Sequence, residues 1–267
     1  MGALQRGRRQ TGQCQRLVHR LDQKSLITAS KDVTAVPPSD GLALVFGASG
    51  GIGNALVERL RADSRFSTVI ELSRTCDPAF DLTDENSISQ AAASVARTGR
   101  DVRLVIVATG ALDQQGCSAE KSWRQIDPAA MARSFAINTI GPALLMKHFL
   151  PLLPQSGKSV FAALSARVGS IGDNRLGGWY SYRAAKAALN QVIHTAAIEL
   201  QRSRPQAICV ALHPGTVDTG LTEGFAKSGL EVQTPATAAG RIIEILDALR
   251  PSDSGRFFDQ RGAAIPW

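Results

Sequence analysis

Leu42-Ala43-Leu44-Val45-Phe46-Gly47-Ala48-Ser49-Gly50-Gly51-Ile52-Gly53 is the stretch that decides the fold. The apolar run Leu42–Phe46 suits a strand buried on both faces. The glycines after it let the backbone turn sharply and approach a bound group closely. A helical stretch at about 52–62 follows, and its N-terminus offers free N–H groups and a positive dipole end. Strand, glycine-rich turn and helix in that order form a dinucleotide-binding arrangement. The candidate pyrophosphate contacts are Gly47, Ser49, Gly51, Ile52 and Gly53. The spacing is G-x-x-x-G-x-G rather than G-x-G-x-x-G, and a purely structural turn would use similar residues.

Outward from this stretch, strands and helices alternate. Short apolar runs predict further strands at Thr68–Leu72, Arg103–Ala108, Ser159–Leu164 and Ala207–Leu212, with Phe257-Phe258 closing the sheet. Helices are expected at about 84–97 (capped by Thr83 or Asp84), 128–150, 180–201 and 236–249. This alternation means an α/β fold, a doubly wound parallel sheet of Rossmann type in a single domain. Only eight residues, including Pro78, separate Leu72 from Asp81-Leu82-Thr83. A helical crossover needs a dozen or more. The second crossover is therefore shortened: a helix is missing there, and a third strand, if present, is reached by a tight loop.

Both tyrosines of the chain lie in Tyr180-Ser181-Tyr182-Arg183-Ala184-Ala185-Lys186. Tyr182 and Lys186 stand at i and i+4 and share a helix face. An ammonium beside a phenol favours the phenolate, so the Tyr182 pKa is expected below its reference near ~10. Tyr180 has Ala184 at the same offset and lacks such a partner. The pattern by itself is also common on ordinary helices.

The second strand should deliver the residue that reads the adenosine ribose. It ends in Glu71-Leu72-Ser73-Arg74. Ser73 and Arg74 at the turn suit a 2′-phosphate and favour NADP, while Glu71 could serve NAD if the strand ended earlier.

With these residues in view, the chain from about 42 to 260 resembles the short-chain dehydrogenase/reductase family. Its cofactor motif T-G-x-x-x-G-x-G is matched by Phe46–Gly53, with Phe46 in place of Thr. The resemblance implies that Asp81, with Leu82, contacts adenine. It also implies that Asn138, Ser165, Tyr182 and Lys186 form the catalytic set. Pro214-Gly215-Thr216-Val217-Asp218-Thr219 resembles the P-G-x-V-x-T segment, so Pro214, Gly215, Val217 and Thr219 are expected near the nicotinamide. The family's N-N-A-G is represented by Val107-Ala108-Thr109-Gly110, which keeps Gly110 but neither asparagine. The shortened second crossover and the long Ser165–Tyr182 gap suggest a divergent subgroup similar to C-factor-like members.

The chemistry implied is hydride transfer between NAD(P) and a small carbonyl or alcohol. Tyr182 would protonate the carbonyl oxygen, Ser165 would donate to it, and Lys186 would lower the Tyr182 pKa and hold the nicotinamide ribose. Asn138 would hold a water leading from Lys186 to solvent. Ser170 is a rival to Ser165, but Ser165 directly follows a strand and Ser170 lies between glycines. His213 is read as a packing residue, and His148 and His194 as ordinary helix residues. Residues 216–234 suit an apolar lid or two short helices. An alternative is a cofactor-binding signalling or regulatory protein with little turnover. The resemblance also implies a homodimer or homotetramer built on the helices at 128–150 and 180–201.

Composition narrows the class. Apolar residues make up 44% and charged residues 20%, as in a globular protein. No apolar run approaches the ~18 residues of a membrane span. Residues 1–40 carry seven Lys/Arg against three Asp, a net +4 of the chain's +7. They are read as a basic, disordered leader ahead of the catalytic domain at 41–267; an organelle transit peptide is the lesser alternative. No basic-aromatic stripe points to nucleic acid. The four scattered cysteines, Cys14, Cys76, Cys117 and Cys209, suggest neither metal nor disulfides and fit a cytoplasmic protein.

Overall fold

The computed structural model describes residues 41–112, 119–220 and 231–267. The expected leader, Cys14, Cys117 and most of the expected lid lie outside these residues. A six-stranded parallel sheet forms the centre. Its strands are β1 (Gly41–Phe46), β2 (Phe66–Leu72), β3 (Val102–Val107), β4 (Ser159–Leu164), β5 (Ala207–Leu212) and β8 (Phe257–Phe258). They lie in the order β2-β1-β3-β4-β5-β8. A separate two-stranded pair joins β6 (Thr216–Val217) to β7 (Val232–Gln233).

Because both faces are covered, the inner strands read as near-continuous apolar runs and their residues divide by alternation. Leu42, Leu44, Phe46, Val105, Val107 and Phe161 point into one core. That face is covered by α2 (Glu85–Ala96), α4 (Gly141–Phe149) and α5 (Tyr180–Ser203). Ala43, Val45, Leu104, Ile106, Ala162 and Val210 point into the other. That face is covered by α1 (Gly51–Arg61) and α6 (Pro235–Ala248).

The short second crossover has a simple outcome. Among the described residues no strand or α-helix lies between Leu72 and Asp84, so β2 is an edge strand. The chain doubles back at once: the Phe80 N–H donates to the Ser73 carbonyl at 2.9 Å. Asp84 then caps α2 by accepting from the Asn86 N–H. The connection passes over β1 to pair β3 on its far side. Strand order therefore reverses between β1 and β3, which opens a crevice at their C-terminal ends.

The helix expected at 128–150 is divided. α3 (Pro128–Phe135) is followed by a widened π-type turn at Ala136–Ile140 and then by α4. Pro142 has no N–H to give the Asn138 carbonyl four residues back, which accounts for the break. The Thr139 hydroxyl anchors the turn on α5 by donating to the Ala185 carbonyl at 2.7 Å.

Phe46, at the Thr position of the resembled cofactor motif, is fully buried. Its ring meets Phe149 edge-on at 4.9 Å and Phe80 at 5.3 Å. Phe80 comes from the shortened crossover, so an aromatic cluster closes the core beneath it. We expect Phe46→Ala to lower the unfolding free energy by roughly 3–5 kcal/mol. Urea titration reads this as a lower midpoint at unchanged m-value; a loss below 1 kcal/mol would mean that the cluster does not hold the loop.

Candidate active site

The crevice is lined first by the turn from β1 to α1. Gly47 adopts φ +80°, and a Cβ on it would lie 3.0 Å from the Ala108 carbonyl group and the Thr109 nitrogen. The turn after β1 and the turn after β3 thus touch, and only glycine allows the approach. A Cβ on Gly53 would lie 2.1 Å from the Gly47 carbonyl oxygen. Ser49, Gly50 and Gly51 are exposed at the start of α1. That helix has no side-chain cap and no acidic residue in its first turn. An uncapped, glycine-lined helix start of this kind fits a pyrophosphate. Ile52 is half-buried against the core on the α1 side. Thr219 closes over the turn, since a Cβ on Gly51 would lie 2.7 Å from its methyl.

At the end where the sequence reading places the adenosine, the residues serve different purposes. Ser73 is buried, its hydroxyl in contact with those of Thr75 at 3.0 Å and the thiol of Cys76 at 3.3 Å. Arg74 is exposed at the rim. Glu71 lies within β2 and is paired with Arg61 of α1, which takes it away from the strand end. One Asp81 oxygen accepts from the Thr83 N–H and hydroxyl, and these bonds hold the carboxyl below its usual range. The Leu82 side chain is committed to packing: a Cβ on Gly141 would lie 2.5 Å from it.

The other wall gathers the tyrosine and its neighbours. Lys186 is 2% exposed and donates from Nζ to the Leu164 carbonyl at 2.8 Å. Leu164 ends β4, and Ser165 comes next. Ser165 is buried, and its hydroxyl donates to Asn190 Oδ1 at 2.6 Å. The Lys186 nitrogen stands 5.8 Å from the centre of the Tyr182 ring. Gly110 sits close above them; a Cβ there would be 3.7 Å from that nitrogen and 3.4 Å from Asn138 Oδ1. Asn138 is fully buried and grips the chain beyond Gly110 from both sides. It accepts from the Ala111 N–H at 3.2 Å and donates to the Ala111 carbonyl at 2.8 Å. Its side chain therefore orders the turn after β3.

Gln233 donates to the Pro214 carbonyl, which fixes the bend at Gly215 (φ +82°), and Val217 is buried. The β6–β7 pair holds together the two ends of the expected lid; residues 221–230 lie outside the described residues. Ser170 is buried elsewhere, donating to the Pro266 carbonyl and accepting from the Asp173 N–H, and so has a structural role. The His213 N–H donates to the Phe258 carbonyl at 2.7 Å. Burial, with Arg167 nearby, holds its imidazole down at about 4.

Two residues escaped the sequence reading. The chain enters α5 through three left-handed residues, Gly177 (φ +63°), Gly178 (φ +67°) and Trp179 (φ +56°). Trp179 is not a glycine, so this conformation is strained. Buried Glu120 offsets the strain. Its carbonyl accepts from the Trp179 N–H at 2.5 Å, and its carboxylate accepts from the Ser181 hydroxyl and N–H. A carboxylate at a helix N-terminus also meets the positive dipole end. Nothing local to Glu120 signals this. Asn190 could have been found by continuing the face of Tyr182 and Lys186 one further turn.

The expected lowering of the Tyr182 pKa is not what this arrangement produces. Burial pushes the phenol up, and the same burial pushes Lys186 down to about 7. A lysine that readily sheds its proton gives the phenolate little support. Folded Lys186 therefore binds fewer protons than unfolded Lys186, whose pKa is 10.5. Without added nucleotide, stability should rise as pH rises from 7 to 9, by roughly 2 kcal/mol from this residue. Above pH 9 the buried Cys209 thiol, held up at about 12, acts in the opposite direction. Chemical denaturation of the parent and Lys186→Met across pH 7–9 checks this: the difference in stability should itself vary with pH, and parallel curves would refute it.

Known proteins resemble this chain in sequence and in fold. A family model described as "Enoyl-(Acyl carrier protein) reductase" matches residues 47–249. The chain is 38% identical over 144 residues to the C-signal protein of Myxococcus xanthus, covering 53% of this chain and 81% of that one. It is 34% identical over 195 residues to 1-hydroxy-2-glutathionyl-2-methyl-3-butene dehydrogenase of Rhodococcus sp. (strain AD45), covering 72% and 80%. In structure it is similar to the NADPH-bound carbonyl reductase from chicken fatty liver, with a TM-score of 0.72 and 27% identity over 85% of this chain and 99% of that one. The parallel sheet, the glycine turn at its switch point and the extent of these matches show that this chain belongs to the short-chain dehydrogenase/reductase family.

Proposed function

We propose that the chain is an NADP-dependent carbonyl reductase or alcohol dehydrogenase acting on a small molecule. One observation carries the reading: the Lys186 nitrogen donates to the Leu164 carbonyl beside Ser165, with the Tyr182 ring 5.8 Å away, across the crevice from the uncapped α1 N-terminus. The buried Thr109 hydroxyl beside Gly110 makes no hydrogen bond among the described residues, which suits a polar group arriving there.

NADP, when bound, supplies and accepts the hydride. The chain's own residues handle position and protons. The glycine turn and the start of α1 would hold the pyrophosphate, and Arg74 would meet the 2′-phosphate. Ser165 donates a hydrogen bond to the substrate oxygen as negative charge grows there. Tyr182 delivers a proton to the same oxygen. Burial suits it to this task, because a general acid must carry its proton beforehand. Lys186 orients the ribose and, when protonated, favours the phenolate left behind. Asn138 keeps the turn at Gly110 in place.

A second copy would pack on the groove between α4 and α5, lined by Met146, Leu150, Val192, Ala196 and Leu200. Among the described residues no helix is long and apolar enough to cross a membrane. A signalling role with little turnover is a second reading, favoured by the likeness to the C-signal protein and by the lost asparagines at Val107–Gly110.

Absorbance at 340 nm with a panel of aldehydes, ketones and alcohols separates the two readings, since a pure binder oxidises no NADPH. Tyr182→Phe should lower kcat by roughly 10²–10⁴-fold. Ser165→Ala should lower it by roughly 10²-fold or more. Both should bind NADPH within a few-fold of the parent. Full turnover by Tyr182→Phe would sink the mechanism.

Arg74→Ala should raise KM for NADPH at least roughly tenfold, in keeping with a lost charge-assisted contact, and leave KM for NADH nearly unchanged. A parent that clearly prefers NADH would remove Arg74 from this role.

A further inference from the structure

Ser165 and Asn190 form a buried pair whose hydrogen bonding is incomplete. Asn190 lies four residues beyond Lys186 and eight beyond Tyr182, on the same face of α5. It is 2% exposed, and Ser165 is 4% exposed. The serine hydroxyl donates to Asn190 Oδ1 at 2.6 Å. The other end of that amide, Nδ2, is buried with no acceptor among the described residues. Both facts matter for the chemistry proposed above. A hydroxyl has one proton, and a proton given to Asn190 cannot be given to a substrate oxygen. A buried N–H group without an acceptor is costly.

A half turn of the amide resolves both problems without changing the shape of the side chain. Nδ2 then faces Ser165 and donates to the lone pairs of its oxygen. Oδ1 takes the position that offers no donor, and a bare carbonyl there is easier to tolerate than a bare N–H. The serine proton is released to point out of the helix face.

We infer that Asn190 is a positioning residue whose amide sets the direction of the Ser165 hydroxyl. Facing Ser165 with oxygen, it holds the proton against α5; facing it with nitrogen, it anchors the serine oxygen and frees the proton for the substrate carbonyl. This inference rests on the proposed hydride-transfer reading.

Asn190→Asp tests it, because an ionised carboxylate of nearly the same shape can only accept. At pH 8 this variant should lose roughly 10²-fold in kcat, as for removal of one oxyanion donor, while NADPH affinity stays within twofold. The ratio of its kcat to that of the parent should climb as pH falls through the carboxyl pKa, since a protonated carboxyl can donate to Ser165 again. A ratio that stays flat with pH, or is near one at pH 8, overturns the inference. Asn190→Leu provides a check independent of how well the Asp variant folds. It should lower kcat in the parent and have no further effect in a Ser165→Ala background; an equal loss in both backgrounds overturns the inference. A parent that turns over nothing in the panel would instead defeat the hydride-transfer reading itself.

Discussion

A buried hydrogen bond from Lys186 Nζ to the Leu164 carbonyl ties the helix that carries Tyr182 to the end of the strand that leads into Ser165. The bond spans the join between α5 and the C-terminal end of β4. An ammonium that deep is costly unless it is hydrogen-bonded, so its partner fixes where the helix face comes to rest. Once Lys186 is fixed, Tyr182 one turn before it and Asn190 one turn after it are fixed as well. Asn190 then meets Ser165, which follows the same carbonyl. The arrangement of the wall follows from one helix face docking on one strand end.

The opposite wall is governed by close approach. Gly47 and Ala108 belong to the turns after adjacent strands, and their backbones come near enough to exclude a side chain. The sheet reverses its strand order at that junction because β2 is an edge and the chain passes over β1 to form β3. The loss of a strand and helix beyond β2 leaves this junction intact. Phe46 and Phe80 fill the space beneath the short return, so a shorter sheet still ends in a sealed core.

How far the sequence could be read depended on the range of the forces involved. The five main strands, the glycine turn and the Tyr182–Lys186 face were legible, because period, turn chemistry and i,i+4 spacing are local signals. The break at Ala136–Ile140 was also written locally, in Pro142, yet an unbroken helix was expected because the apolar pattern continues through it. Glu120 was not legible: it acts on Trp179 and Ser181, some sixty residues away, and only the folded chain brings them together. The direction of the Tyr182 shift was misread for a related reason. Spacing gave the neighbour, but burial, which the spacing does not report, outweighed the neighbour's charge.

That misreading changes the chemistry expected of the pair. A phenol with a lowered pKa would sit partly ionised near neutral pH and would suit removal of a proton from an alcohol. A buried phenol keeps its proton and suits delivery to a carbonyl oxygen. Lys186, at about 7, lies at the other extreme: a small change in nearby charge decides whether it is an ammonium or an amine. A negative group brought next to it favours the ammonium, and the ammonium in turn brings the phenol down. The two shifts have one cause, the exclusion of water between α5 and β4, and they oppose each other in sign because one group is charged by losing a proton and the other by gaining one. The phenol's proton is thus held by burial, and how readily it leaves depends on the charge beside Lys186.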